Sequence, residues 1–115
     1  MFWYTTETKE KLFDDPEEVL KRLGDNTAVV CYNDEVAFGL VKCLLSAGRR
    51  VPEDVAVVSF DNSNLSWISQ VPITSLSYED RNIGRIAAQK LVDILDGRDV
   101  SSEVLPWTFI QKESS

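Results

Sequence analysis

The sequence predicts an α/β fold, a parallel sheet with flanking helices, on three observations. Residues 27–32 and 55–60 are continuous apolar runs of strand length, the pattern of strands covered on both faces. A helical stretch at 34–47 lies between them, giving the strand, helix, strand order of a parallel crossover. An amphipathic stretch at 78–96 and a last apolar run at 104–110 continue the alternation. The length, 115 residues, suits one unit, since domains run ~100–150 residues at the mode.

Each element follows from local signals. Asp15 suits an N-cap, Pro16 the first helical position, and Glu17 and Glu18 the positive end of the helix dipole. Val19, Leu20 and Leu23 give that helix one apolar stripe, and Gly24 closes it. After the first strand, Asn33 reads as the cap of the next helix. That helix is apolar nearly all round from Val36 to Leu45, broken by Lys42, so it should pack on more than one side before Gly48 ends it. The second strand, 55–60, leads into the polar loop Asp61-Asn62-Ser63-Asn64. Residues 65–70 suggest a short helical turn, and 71–76 an extended segment with Pro72 marking an edge or a crossover. Ile83, Ile86, Ala87, Leu91 and Ile94 share one helix face before Gly97, and residues 111–115 form a polar tail.

Composition excludes several functions. Hydrophobic residues make up 43% and charged residues 27%, ordinary globular values that argue against disorder. No apolar run approaches the ~18–20 residues of a membrane span, and the start lacks the regions of a signal peptide. The net charge of −7 repels phosphate backbones, so these residues are not expected to bind nucleic acid themselves. Cys31 and Cys43 lie inside apolar stretches and read as buried free thiols of a reducing compartment, with a disulfide as the alternative. The absence of histidine removes most triads, most zinc sites and the usual neutral-pH base; no metal, cofactor or catalytic residue is expected.

Ligands of open parallel sheets bind beyond the carboxyl ends of strands. Asn33 and Asp61 stand at two such ends, and an amide beside a carboxylate suits the adjacent hydroxyls of a sugar. The same residues also suit a plain helix cap and a plain loop turn. Trp3 and Tyr4 could stack on a sugar ring or fill a core. Leu65, Trp67 and Ile68 form an apolar group among Ser and Asn that fits either a core or a subunit interface.

Two segments then carry a resemblance. Residues 32–39 (Tyr32-Asn33-Asp34-Glu35 onward) and 48–61 (Gly48-Arg49-Arg50-Val51-Pro52-Glu53 through Ser59-Phe60-Asp61) resemble the C-terminal signature of the lactose/galactose repressor family. The order continues through Pro72-Ile73-Thr74, Ile83-Gly84, Ala87-Ala88 and Leu105-Pro106, so the match spans about residues 27–113. The stretches Trp3-Tyr4-Thr5-Thr6-Glu7 and Cys31-Tyr32-Asn33-Asp34-Glu35 are similar to the arabinose-operon repressors of Gram-positive bacteria, hybrids with an N-terminal winged helix.

The resemblance implies a type I periplasmic-binding-protein-like fold, two α/β subdomains with a sugar in the cleft between them. Residues 1–115 would be the C-terminal part of that effector domain, with 74–97 returning to the other subdomain. Asn33 and Asp61 would bind the effector, L-arabinose on the narrower match, with Trp3 and Tyr4 beside them. Phe38, Leu65, Trp67 and Ile68 would form a homodimer interface. DNA would be bound only through an N-terminal domain outside this sequence, in a cytoplasmic repressor that is not an enzyme and touches no membrane. A periplasmic sugar carrier of the same fold is the alternative. Two positions depart from the family: Ser59 replaces a usual Gly, and Asn62 a common second Asp, which bears on the polarity of the pocket. The apolar face of the 83–94 helix would lack its usual cover and pack on a second copy or fold back on the sheet.

Overall fold

The computed structural model describes residues 15–78 and 83–115. Helix α1 (Pro16–Leu23) starts as its sequence directs, with the Asp15 side chain accepting from the Glu18 N–H and Gly24 at positive φ beyond its end. Strand β1 (Ala28–Val30) leads to helix α2 (Asp34–Ser46), and strand β2 (Ala56–Phe60) to the five-residue helix α3 (Asn64–Ile68). Strand β3 (Thr74–Ser77), helix α4 (Ile83–Leu95) and strand β4 (Thr108–Ile110) complete the chain.

The four strands form one sheet in the order β1-β2-β3-β4. The first three are parallel, with Val30 opposite Val58 and Val58 opposite Thr74. Strand β4 is antiparallel, with Ser77 opposite Thr108, so the expected parallel sheet is a mixed one with an antiparallel edge.

Helix α2 is the centre of the core. Its buried Val36, Ala37, Leu40, Val41, Cys43 and Leu44 meet Val55, Val57 and Ile73, while α1 adds Val19. An all-round apolar helix needs neighbours on several sides, and α2 has α1, α3 and β2. Both cysteines are buried there as free thiols.

Expectations change at β1 and at α4. Strand β1 is an edge, so Val30 is 70% exposed instead of covered on both faces. Of the two readings of Pro72, the crossover holds: it lies in the connection between the parallel strands β2 and β3, and its carbonyl accepts the N–H groups of Glu113 and Ser114. The polar tail is tied to the sheet: Ser114 is fully buried, exchanges backbone and side-chain hydrogen bonds with Val57, and its Oγ accepts the Thr74 N–H at 2.9 Å. Finally, Tyr78 lies outside α4, whose described residues are Ile83–Leu95, and α4 does not fold back on the sheet, since none of its described residues is buried.

Candidate functional site

Parallel pairing of Val30 with Val58 brings the carboxyl ends of β1 and β2 to one edge of the sheet. Asn33 and Asp61 each lie three residues beyond that pair, so the structure brings the two predicted residues to the same edge. Asn33 is extended and half-buried, and its Oδ1 accepts the Val36 N–H at 3.0 Å. It is therefore a helix cap as well as an edge residue, and the cap occupies only its oxygen. Asp61 is exposed with φ 99°, and Asn62 follows with φ 50°. Partial burial pushes the Asp61 carboxyl above its ordinary range, and repulsion from Asp34 adds to it.

The same edge carries aromatic side chains that the sequence reading did not place. Tyr78 follows β3 and Trp107 precedes β4, and the antiparallel register sets them together. Their rings stack with centroids 3.9 Å apart, and Trp107 meets Phe60 edge-on at 5.4 Å. Trp107 stays 46% exposed, leaving aromatic surface free for a ring. The predicted aromatics, Trp3 and Tyr4, lie outside the described residues. A strand run over 104–110 that contains Trp107 is legible, but the partner across from Trp107 depends on a strand register that sequence does not print.

Beneath the edge lies a buried polar group. Asp34, 1% exposed, accepts from Ser59 Oγ, from Ser75 Oγ at 2.9 Å and from the Ser63 N–H at 2.5 Å. Lys112 reaches in from beyond β4, its Nζ donating to Asn62 Oδ1 at 2.8 Å, Ser66 Oγ at 3.0 Å and the Ile73 carbonyl at 2.8 Å. The same Nζ lies 4.3 Å from the Trp67 ring centre, and burial pulls its pKa below the ordinary lysine range, against the attraction of Asp34.

The predicted interface residues divide. On α3, Trp67 and Ile68 are 55% and 70% exposed, while Leu65 is half-buried. Phe38 on α2 is half-buried and packs against the core. A separate open groove between α4 and the segment after it is lined by Ile86, Gln89, Lys90, Asp93, Asp99 and Glu103 and holds none of the predicted site residues. Among the described residues no His, Cys, Asp and Glu cluster could hold a metal, and no helix is long and apolar enough to cross a membrane.

Residues 3–115 match the model of the periplasmic binding protein-like domain. The chain belongs to that family. This periplasmic-binding-protein-like chain is 33% identical over 100 residues to the arabinose metabolism transcriptional repressor of Geobacillus stearothermophilus, covering 84% of this chain and 28% of that protein. It is 39% identical over 80 residues to the transcriptional regulator CelR of Thermobifida fusca, covering 70% of this chain and 24% of the relative. The chain thus spans about a quarter of the length of these relatives. Among solved structures, a LacI family transcriptional regulator from Bifidobacterium animalis superposes with a TM-score of 0.80 at 30% identity, covering 93% of this chain and 40% of that one. A complex of the regulator CelR with cellobiose gives the same TM-score at 32% identity, covering 93% and 33%. The lactose/galactose-repressor resemblance and the fold it implied therefore hold for this periplasmic-binding-protein-like chain.

Proposed function

We propose that the chain is the C-terminal part of the effector domain of a cytoplasmic transcriptional repressor, one wall of a cleft that closes on a sugar. The observation that carries this reading is the shared sheet edge, where Asn33, Asp61 and the exposed Trp107 stand at the ends of β1, β2 and β4. With its Oδ1 used by the cap, Asn33 offers an Nδ2 donor, and Asp61 offers an acceptor. Donor, acceptor and aromatic face together match the hydroxyls and the apolar face of a sugar ring. The similarity to arabinose metabolism repressors at 33% and 35% identity supports L-arabinose as the effector.

Residues 74–97 lead to a second subdomain and back in this reading, and the uncovered apolar side chains of α4 support it. Sugar binding shifts open and closed populations and so changes operator affinity, a coupling typically of ~1–3 kcal/mol. DNA is held by an N-terminal domain outside this chain, and Phe38, Leu65, Trp67 and Ile68 contribute to a homodimer face. The similarity to transcriptional repressors supports a binding role over catalysis.

Calorimetry on the full-length protein against a pentose and hexose panel tests this. L-arabinose is expected to bind best, and Asn33→Ala and Asp61→Ala each to weaken it about tenfold or more, the loss of one or two polar contacts. Unchanged affinity in both variants would reject the site.

A further inference from the structure

Asp34 is a carboxylate taken out of water at the first turn of α2, a place where an exposed acid would satisfy the helix dipole equally well. Its burial therefore serves something besides the helix. Its donors come from three other elements: Ser59 Oγ on β2 and Ser75 Oγ on β3 converge on Oδ1, and the N–H of Ser63, just before α3, reaches Oδ2. A hydroxyl has one proton, so Ser75, donating to Asp34, is left to accept, and it accepts the Asn62 N–H at 3.0 Å. The preceding N–H, of Asp61, binds the Leu76 carbonyl at 2.9 Å. Three consecutive amides, 61 to 63, are thus tied down to β3 and Asp34.

The backbone they hold is strained. Asp61 and Asn62 are consecutive non-glycine residues at positive φ, a conformation that persists only where the surroundings over-determine it. The Asp34 cluster supplies that constraint. Ser59 and Ser75, fully buried where apolar side chains would pack, are explained by the same requirement, since each gives Asp34 a donor.

We infer that Asp34 is the positioning residue of the effector edge: with Ser59 and Ser75 it clamps the 61–63 backbone and so fixes where the Asp61 carboxylate stands. Its consequence for ligand rests on the sugar-binding reading above; the clamp itself does not. The same clamp ties the edge to α3, because Ser63 stands at the N-cap position of that helix and Lys112 links Asn62 to Ser66 beside the exposed Trp67.

The test compares wild type with Asp34→Asn and Ser75→Ala in the full-length protein, reading amide hydrogen exchange residue by residue and L-arabinose affinity. Asn in place of Asp34 loses one of the two acceptor oxygens, and Ala at 75 removes the acceptor for Asn62. Exchange at the 61–63 amides is expected to rise about tenfold or more while the amides of β2 and of the middle of α2 keep their rates, with arabinose affinity falling about tenfold. Ser75→Ala should show the loosening at Asn62 first and supplies the answer if Asp34→Asn fails to fold. Unchanged exchange at 61–63, or a rise spread evenly through β2 and α2, overturns the proposal. So does a loosened loop that binds arabinose as tightly as wild type. If wild type binds no sugar of the panel, the effector reading fails, and the exchange pattern alone decides the clamp.

Discussion

Asp61 holds its place against its own preferences, with a backbone at φ 99° and a carboxyl that burial and Asp34 push upward. Removing the strain should stabilise the protein while removing the acceptor. A left-handed non-glycine residue costs about 1–3 kcal/mol and a glycine about 0.5–1 kcal/mol of chain entropy, so Asp61→Gly is expected to gain about 1 kcal/mol in urea unfolding and lose sugar binding. A raised pKa also moves the acid limb of binding. Protonation of Asp61 removes its charge as acceptor, so affinity should decline on acidification at a higher pH than an ordinary aspartate would give, read by calorimetry along an acid titration beside Asp61→Asn. The linked stability has the opposite sign: the folded state binds this proton more tightly, so the Asp61 contribution grows as pH falls through its folded value. Cys31 is pushed up to about 12, by burial first and Asp34 second, and should resist thiol reagents at pH 8 in the folded protein while reacting when unfolded. Its stability contribution is present below the unfolded thiol value and is lost as pH rises beyond it.

At the scale of elements, the start of α2 does two jobs that a pair of substitutions separates. Asn33→Ala removes the cap to Val36 and should cost about 1 kcal/mol as well as sugar affinity. Asn33→Asp keeps a capping oxygen of equal quality and removes only the amide donor, so thermal stability should stay near wild type while affinity falls. Equal loss of stability in both would mean that the side chain does more than cap. These boundaries were legible because caps and glycines are local: Asp15, Pro16, Asn33 and Gly48 act within a turn of where they stand. The place of Tyr78 was not, because it continues the apolar pattern of the helix yet stacks on Trp107 across the sheet edge.

The whole molecule is unevenly packed. The core on α2 and β2 is dense, whereas Leu91, Ile94 and Leu95 on α4 are 57%, 57% and 77% exposed. Leu44→Ala, at a fully buried position, should cost about 2–5 kcal/mol in this chain, and Leu95→Glu should change its stability by no more than about 0.5 kcal/mol. In the full-length protein Leu95→Glu should become costly, since the proposed second subdomain would cover that face. A small effect in both contexts would remove the support that α4 gives to the two-subdomain reading.

The sequence by itself determined the alternation of strands and helices, the buried character of α2, and the two strand-end residues Asn33 and Asp61, because apolar periodicity and capping chemistry act over a few neighbouring residues. Family motifs in fixed order added the repressor-like fold. Tertiary structure alone decided that β4 runs antiparallel, that Ser114 closes the core, that Trp107 meets Tyr78, and that Asp34 gathers Ser59, Ser63 and Ser75 under the Asp61 loop. Those are pairings between residues 25 to 57 positions apart, fixed by strand register and by the need of buried polar atoms for partners. A linear pattern shows which residues are polar; only the register shows which of them meet.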